Sequence, residues 1–280
     1  MRRATRLIGG SIVGCATVAA IALVALGATA QGRASAATPS PPRELVVALS
    51  LGHPALQAGV VSGSSVVLAR GFEVDLARLL ARRLGIARVR LIDVRPPARL
   101  LATSTPSWHV ALAGLTTPEL VRTVAASVPY LPSGQAVVPR RGLERLRSLD
   151  DLRRLQLCAR RASAGVATIA GLVRPERRPL LAHGDARLVQ LVQTGACDAA
   201  LVDAVDVGRV VAGRGALLGP IAVRVDRNPG LVVAVARNGP VALGDVDRVL
   251  RRLRADGSLA VLARRWLGID PARLRPLAVR

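Results

Sequence analysis

Short apolar runs alternate along this chain with longer stretches in which apolar residues recur every three or four positions. The runs at 45–49 (LVVAL), 89–94, 110–113, 136–138, 155–159, 199–202 and 231–236 predict buried strands. Between them the period changes to that of a helix. Val74, Leu76, Leu79, Leu80 and Leu84 fall on helical spacings and Gly85 closes the segment, predicting a helix over 72–84. Leu188, Leu191 and Val192 predict another over 185–194. Short helices are expected at 97–101, after Ser148 and at 165–172, and a mostly helical stretch at 241–267. Residues 52–65, with Gly, Ser and one Pro, read as loop. Strands alternating with helices predict an α/β fold with mainly parallel sheets.

The densest signal lies at 110–139, which reads as strand, tight loop, helix, loop, strand. Gly114 breaks the first strand. Thr116-Thr117-Pro118-Glu119 is a helix start, with a Thr cap, a Pro at the first helical position and an acid in the first turn. Such a junction directs free backbone N–H groups over the strand ends, which suits an anion. Pro129-Tyr130 and Ser133-Gly134-Gln135 then lead into the next strand.

Composition narrows the function. The chain of 280 residues has room for one large or two modest domains. Its net charge of +22 would fit a nucleic-acid partner, but the charges are scattered and all forty basic residues are Arg, the usage of a GC-rich genome. The ring residues are Phe72, Trp108, Tyr130 and Trp266, too few to interleave as base-stacking platforms, so no nucleic-acid partner is expected. The same scarcity excludes sugar-stacking sites and aromatic cages.

The first 30 residues read as an export signal. Arg2, Arg3 and Arg6 precede an apolar run over 7–26, and Ala28-Thr29-Ala30 is a small-residue cleavage site. Two alternatives stay open. Cys15 follows Ile12-Val13-Gly14 as in a lipidation box, and the apolar run is long enough to stay as a membrane anchor. Each version places the remainder outside the cytoplasm, secreted or tethered to the membrane. Residues 31–43, rich in Ala, Ser, Thr and Pro, are expected to be a disordered linker.

Four motifs in order carry a family resemblance. GFEVDLARLLARRLG at 71–85, AGLTTPEL…SVPY…GQAVV at 113–138, CDAALVD at 197–203 and DGSLAVLARRWLG at 256–268 resemble the extracytoplasmic solute-binding proteins of amino-acid ABC transporters, family 3. The resemblance implies a bilobed periplasmic-binding-protein-like fold: two mainly parallel α/β lobes joined by a two-strand hinge. Lobe one is expected at 44–138 and 232–270, lobe two at 142–230, and a C-terminal tail at 271–280. The implied function is binding of a small polar solute, an amino acid or similar, by closure of the lobes and delivery to ABC permease subunits, the protein acting as a monomer. The alternative is a receptor or sensor subunit on the same fold with a degenerate amino-acid site.

Carried over by motif, Gly114, Thr116 and Thr117 would meet the ligand from lobe one, Ser163 would donate from lobe two and Asp203 would pair with the ligand ammonium. Asp203 could equally cap the following helix. The family's carboxylate-binding Arg falls on Leu120, which cannot supply a guanidinium fork. Arg122 stands two positions on, about 200° around a helix, and takes that role only if the helix start is shifted. Ala162 and Ala164 replace the Gly and Thr that flank the lobe-two Ser, and Ala55-Leu56 follow His53-Pro54 where an aromatic lid is common.

Cys158 and Cys197 each fall at a predicted strand of lobe two, and in an oxidising compartment a disulfide between them is expected. Two buried thiols are the alternative. No metal or cofactor is expected, since His53, His109 and His183 show no ligand spacing. No catalytic residues are assigned. Asp203, His109 and Glu119 are the sole acid/base candidates, and no nucleophile elbow or zinc motif occurs.

Overall fold

The computed structural model describes residues 42–101, 106–116, 124–143, 145–212, 223–225 and 230–277. The expected export segment, Cys15, most of the linker, Thr117, Pro118, Glu119, Leu120 and Arg122 lie outside the described residues.

Two five-stranded sheets organise the chain. The strands in chain order are β1 (Glu44–Leu49), β2 (Ala58–Ser62), β3 (Ser65–Arg70), β4 (Arg88–Asp93), β5 (Val110–Ala111), β6 (Val124–Ala126), β7 (Gln135–Pro139), β8 (Leu157–Arg160), β9 (Leu180–Ala182), β10 (Ala199–Asp203), β11 (Val223–Arg224) and β12 (Ala234–Ala236). The helices are α1 (Phe72–Arg83), α2 (Ala98–Leu101), α3 (Leu149–Arg153), α4 (Ala164–Thr168), α5 (Asp185–Gln193), α6 (Val207–Val211), α7 (Leu243–Ala255) and α8 (Ser258–Leu267).

The first sheet runs β4-β1-β5-β12-β6 and the second β11-β7-β10-β8-β9. In the first sheet β12 alone opposes the other strands, being antiparallel to both its neighbours. In the second, β7 alone does so. These two odd strands are the ones that enter each sheet directly after the chain arrives from the other half. The strand over 135–139 therefore belongs to the second half, not to the end of the first as its position in the chain suggested. Its backbone pairs antiparallel to β10 and β11, so the crossing falls earlier, between β6 and β7. The return crossing precedes β12. The two crossings lie side by side: Tyr130 N–H donates to the Leu231 carbonyl and Leu231 N–H to the Leu131 carbonyl, both at 2.8 Å. Gly230 sits there with φ 128°, and a Cβ on it would come within 2.4 Å of the Leu131 carbonyl oxygen, so only glycine fits without displacement.

Each half has its own core. In the first, Phe72, Val74, Leu76 and Leu80 of α1 are fully buried against Leu45, Val47 and Leu49 of β1. Leu79 and Leu84, also on the expected apolar face, are only partly buried. Val246, Val249, Leu250 and Leu253 of α7 complete that core at i, i+3, i+4 and i+7. Burying each such side chain stabilises by about 2 kcal/mol. In the second half, Leu188, Val189, Leu191 and Val192 of α5 pack beside Cys158 and Cys197. These cysteines form a disulfide with Cα atoms 6.0 Å apart, both residues inaccessible to solvent. It joins β8 to the residues leading into β10.

Three further differences from the sequence reading have local causes. Residues 58–70 form a hairpin, β2–β3, because Val60-Val61 and Val66-Val67 pair across the turn at Gly63-Ser64. The stretch 241–267 breaks into α7 and α8 at Asp256-Gly257, where Gly257 adopts a left-handed φ of 78°. Arg275 and Leu277 near the C-terminus are tied to the second half. Arg224 N–H donates to the Arg275 carbonyl at 2.9 Å and Leu277 N–H to the Arg224 carbonyl at 2.7 Å, and Leu277 is buried in the second half.

Among the described residues no helix is long and apolar enough to cross a membrane.

Candidate functional site

A cleft of about 430 Å³ opens where the carboxyl ends of both sheets' parallel strands face each other. In open α/β sheets this is the end at which ligands bind, because strand termini leave backbone groups and loop side chains unpaired there. From the first half come Ser50, His53 and Gln57 after β1, and Ala113, Gly114 and Thr116 after β5. From the second come Ala164 and Thr168 of α4 and Asp203 to Val205 at the end of β10. Ser133, Gly134, Gln135 and Leu231 of the crossings lie between them.

Asp203 ends an apolar strand, half-buried, and its Oδ1 accepts from Gln135 Nε2. It makes no side-chain cap to the 3₁₀ turn that follows, so the capping alternative does not hold. Ser133 also contributes to the lining, is only 7% exposed and has a hydroxyl with no hydrogen-bond partner among the described residues. A buried hydroxyl in that state carries a desolvation cost.

Behind the first wall stands Glu73, in the first turn of α1 and fully buried. Its Oε1 accepts from the Gly114 N–H at 2.9 Å and from the Tyr130 hydroxyl. Its Oε2 has no partner among the described residues. Burial pushes this carboxyl up, while the bonds from Tyr130 and Gly114 pull it back in part. Burial, followed by the charge of Glu73 and the bond to it, pushes the Tyr130 phenol well up. The network joins α1, the loop after β5 and one crossing strand.

At the rim, His53 of the first half meets Asp206 of the second, Nε2 to Oδ1 at 3.1 Å. Arg209 Nη2 reaches the same oxygen at 3.0 Å, and Arg209 also pairs with Asp185. Both donors therefore converge on one carboxylate oxygen. Asp206 raises the pKa of His53 by that close contact, against the opposing effect of burial. Burial pushes Asp206 up, but the contact with His53 and the charges of His53 and Arg209 outweigh it and hold the carboxyl low.

Of the expected ligand residues, the cleft brings together Gly114, Thr116 and Asp203. Ser163 is not with them. Its hydroxyl donates to the Arg160 carbonyl at 2.6 Å, and it lines a small neighbouring recess that Asp203 also borders. His109 sits before β5, at the far end from the cleft, where its Nδ1 accepts from Val46 N–H at 3.2 Å; burial and then Arg90 push its pKa down. The sequence reading missed Glu73, Ser133 and Asp206. The signals were there: an acid in the first turn of an apolar helix, a Ser beside the crossing and a second acid three residues after Asp203. No group of residues that could hold a metal ion occurs among the described residues.

Solved structures similar to this one share its fold at low identity. The L-cystine solute receptor of Neisseria gonorrhoeae has a TM-score of 0.65 at 19% identity, with 81% of this chain and 93% of that one covered. A reconstructed ancestral cationic amino-acid solute-binding protein gives 0.60 at 21%, covering 80% and 95%. A reconstructed ancestral cyclohexadienyl dehydratase gives 0.59 at 20%, covering 81% and 93%. No curated protein matches the chain. A family profile matches residues 67–269, from the β2–β3 hairpin to the end of α8. With a bilobed fold, a cleft at the strand ends and most of its length matched, the chain belongs to the bacterial extracellular solute-binding proteins, family 3.

Proposed function

We propose that this protein captures a small polar solute outside the cytoplasm and presents it to the permease of an ABC transporter. The two halves close over the solute, which bridges the first wall at Thr116 and the second at Asp203. Lobe one comprises 44–126 and 232–268, lobe two 135–225, and the paired crossings at Leu131 and Leu231 form the hinge. The observation that carries this reading is the cleft itself: the half-buried carboxylate-bearing Asp203 and the backbone and hydroxyl groups of Gly114 and Thr116 line a cavity of amino-acid size between two separately cored halves. The gonococcal neighbour is described in an unliganded open conformation, and another neighbour, from Streptococcus pneumoniae at 18% identity and a TM-score of 0.52, is bound to L-arginine. These support a fold that opens and closes on small solutes.

Catalysis is not part of the proposal. Glu73, whose raised carboxyl would suit an acid, directs one oxygen at Gly114 and Tyr130, and Glu73 is not among the residues lining the cleft.

A thermal-shift panel of amino acids, amines and small anions tests the reading. A solute at 100 times its Kd raises stability by about 2.7 kcal/mol and contracts the molecule in solution scattering. Silence across the panel, or a melting rise without contraction, contradicts it.

A further inference from the structure

Gln57 stands in the first wall of the cleft and is 3% exposed. Backbone bonds hold the chain around it. Gln57 N–H donates to the His53 carbonyl at 2.7 Å, and the carbonyls of Ala55 and Leu56 accept from Phe72 and Glu73 N–H, at the start of α1, at 3.0 and 2.9 Å. The Gln57 side chain is fixed as well: its Oε1 accepts from the Ser50 N–H, just past β1, at 2.8 Å. A backbone N–H can only donate, so this bond identifies the oxygen and puts the nitrogen on the other arm of the amide. That nitrogen has no partner among the described residues, yet it is not one of the atoms sealed from solvent. Since Gln57 lines the cleft, its two N–H donors are presented there. His53, in the same wall, directs its Nε2 to Asp206 instead. Leu56, Ala113 and Leu231 also line the cleft, and a donor beside apolar surface binds an oxygen more strongly than it does in water. A carboxylate gains most from such donors, because an ionised acceptor makes a bond roughly twice as strong as a neutral one.

We infer that Gln57 is a specificity-determining residue of this cleft: its amide receives a carboxylate of the solute, while Asp203 on the second wall takes a donor group of the same molecule. This rests on the solute-binding reading of the same cleft. The amide is held in place before the solute arrives, so little conformational freedom is lost when it binds. A solute without the carboxylate leaves the Gln57 donors unpaired in the closed cleft, which is the basis for rejecting it.

Titration calorimetry with matched pairs tests the inference: lysine against cadaverine, arginine against agmatine, serine against ethanolamine, and glutamate against 2-aminobutyrate, which lacks the side-chain carboxylate instead. The wild type should bind the carboxylate-bearing member of at least one pair at least about tenfold more tightly. Gln57→Met, of similar length but without the amide, should bring the members of that pair to within about threefold of each other. Gln57→Glu keeps the acceptor for the Ser50 N–H and sets an anion where the donors stood, so it should favour the member lacking the carboxylate. Melting curves show which variant is folded, and either one decides. If a folded variant keeps the wild-type preference, Gln57 only braces its turn, and the inference falls while the solute-binding reading stands. It falls in the same way if the wild type shows no such preference in any pair. If no member of any pair binds, both fall together.

Discussion

The two walls of the cleft spend the same kind of group in opposite ways. On the first wall the carboxyl of Glu73 is sealed behind Gly114 and its bonding oxygen is taken up by the backbone and by Tyr130. On the second wall the carboxylate of Asp203 ends its strand half-buried and faces the cavity. Both residues are flanked by apolar neighbours in the sequence. What separates them is exposure: Glu73 is fully buried, while Asp203, though it accepts from Gln135, stays half-buried at the cavity. An acid sealed among partners of the fold holds the fold; one that still presents surface to a cavity is placed for a ligand.

Truncation should separate the two most strongly. Glu73→Ala leaves the Gly114 N–H and the Tyr130 hydroxyl without their acceptor and opens a void, so urea unfolding should show a loss of about 4 kcal/mol. Asp203→Ala should cost less than about 1 kcal/mol. Equal losses would make both walls structural and break the contrast. Next in size is the brace of the second wall. Replacing Cys158 and Cys197 by Ser should lower stability by about 3 kcal/mol, by releasing the unfolded chain between them; a change below about 1 kcal/mol would contradict this. Smaller again is the contact between the halves at Gly208, where a Cβ would stand 1.9 Å from the Leu267 carbonyl oxygen. Gly208→Ala must push α6 from the end of α8 and should cost about 2 kcal/mol, with a wider separation of the halves in scattering.

The pH responses give the finest distinction. The folded pKa of Glu73 is raised, so its contribution is fully present below the ordinary carboxyl value of 4.5 and is lost as pH rises through the folded value. Glu73→Gln should remove that dependence from the melting curve. The folded pKa of His53 is also raised, so the contact with Asp206 contributes below 6.5 and is lost as pH rises through the folded value. Asp206 is held low, so its contribution is present above 3.8 and is lost only as pH falls through its folded value. Scattering across the upper window should show the halves loosening in the wild type but not in His53→Gln. Identical profiles would remove His53 from the rim contact.

Much of this architecture was legible because strand and helix periods differ and because one face of each element is buried. The 3.6 period of 72–84 located α1, and the apolar run before Asp203 located β10. Three things were not legible. Short strands such as β6, β9 and β11 have too few residues to show a period, and their identity comes from neighbours far along the chain. The side to which β7 belongs was hidden because an apolar run has the same appearance in either sheet. In the site, residue type alone placed Asp203 but could not show that Ser163 turns its hydroxyl to its own backbone, or that Gly114 is claimed by an acid 41 positions earlier.

The contrast between the walls is tested most directly by titration calorimetry of Asp203→Asn beside the wild type, with whichever solute of the thermal-shift panel binds the wild type most tightly. The account predicts a loss of at least about 30-fold in affinity, about 2 kcal/mol, with the melting temperature of the free protein unchanged. Affinity within about threefold of the wild type would mean that the second wall does not hold the ligand's charge, and would contradict the account at its centre.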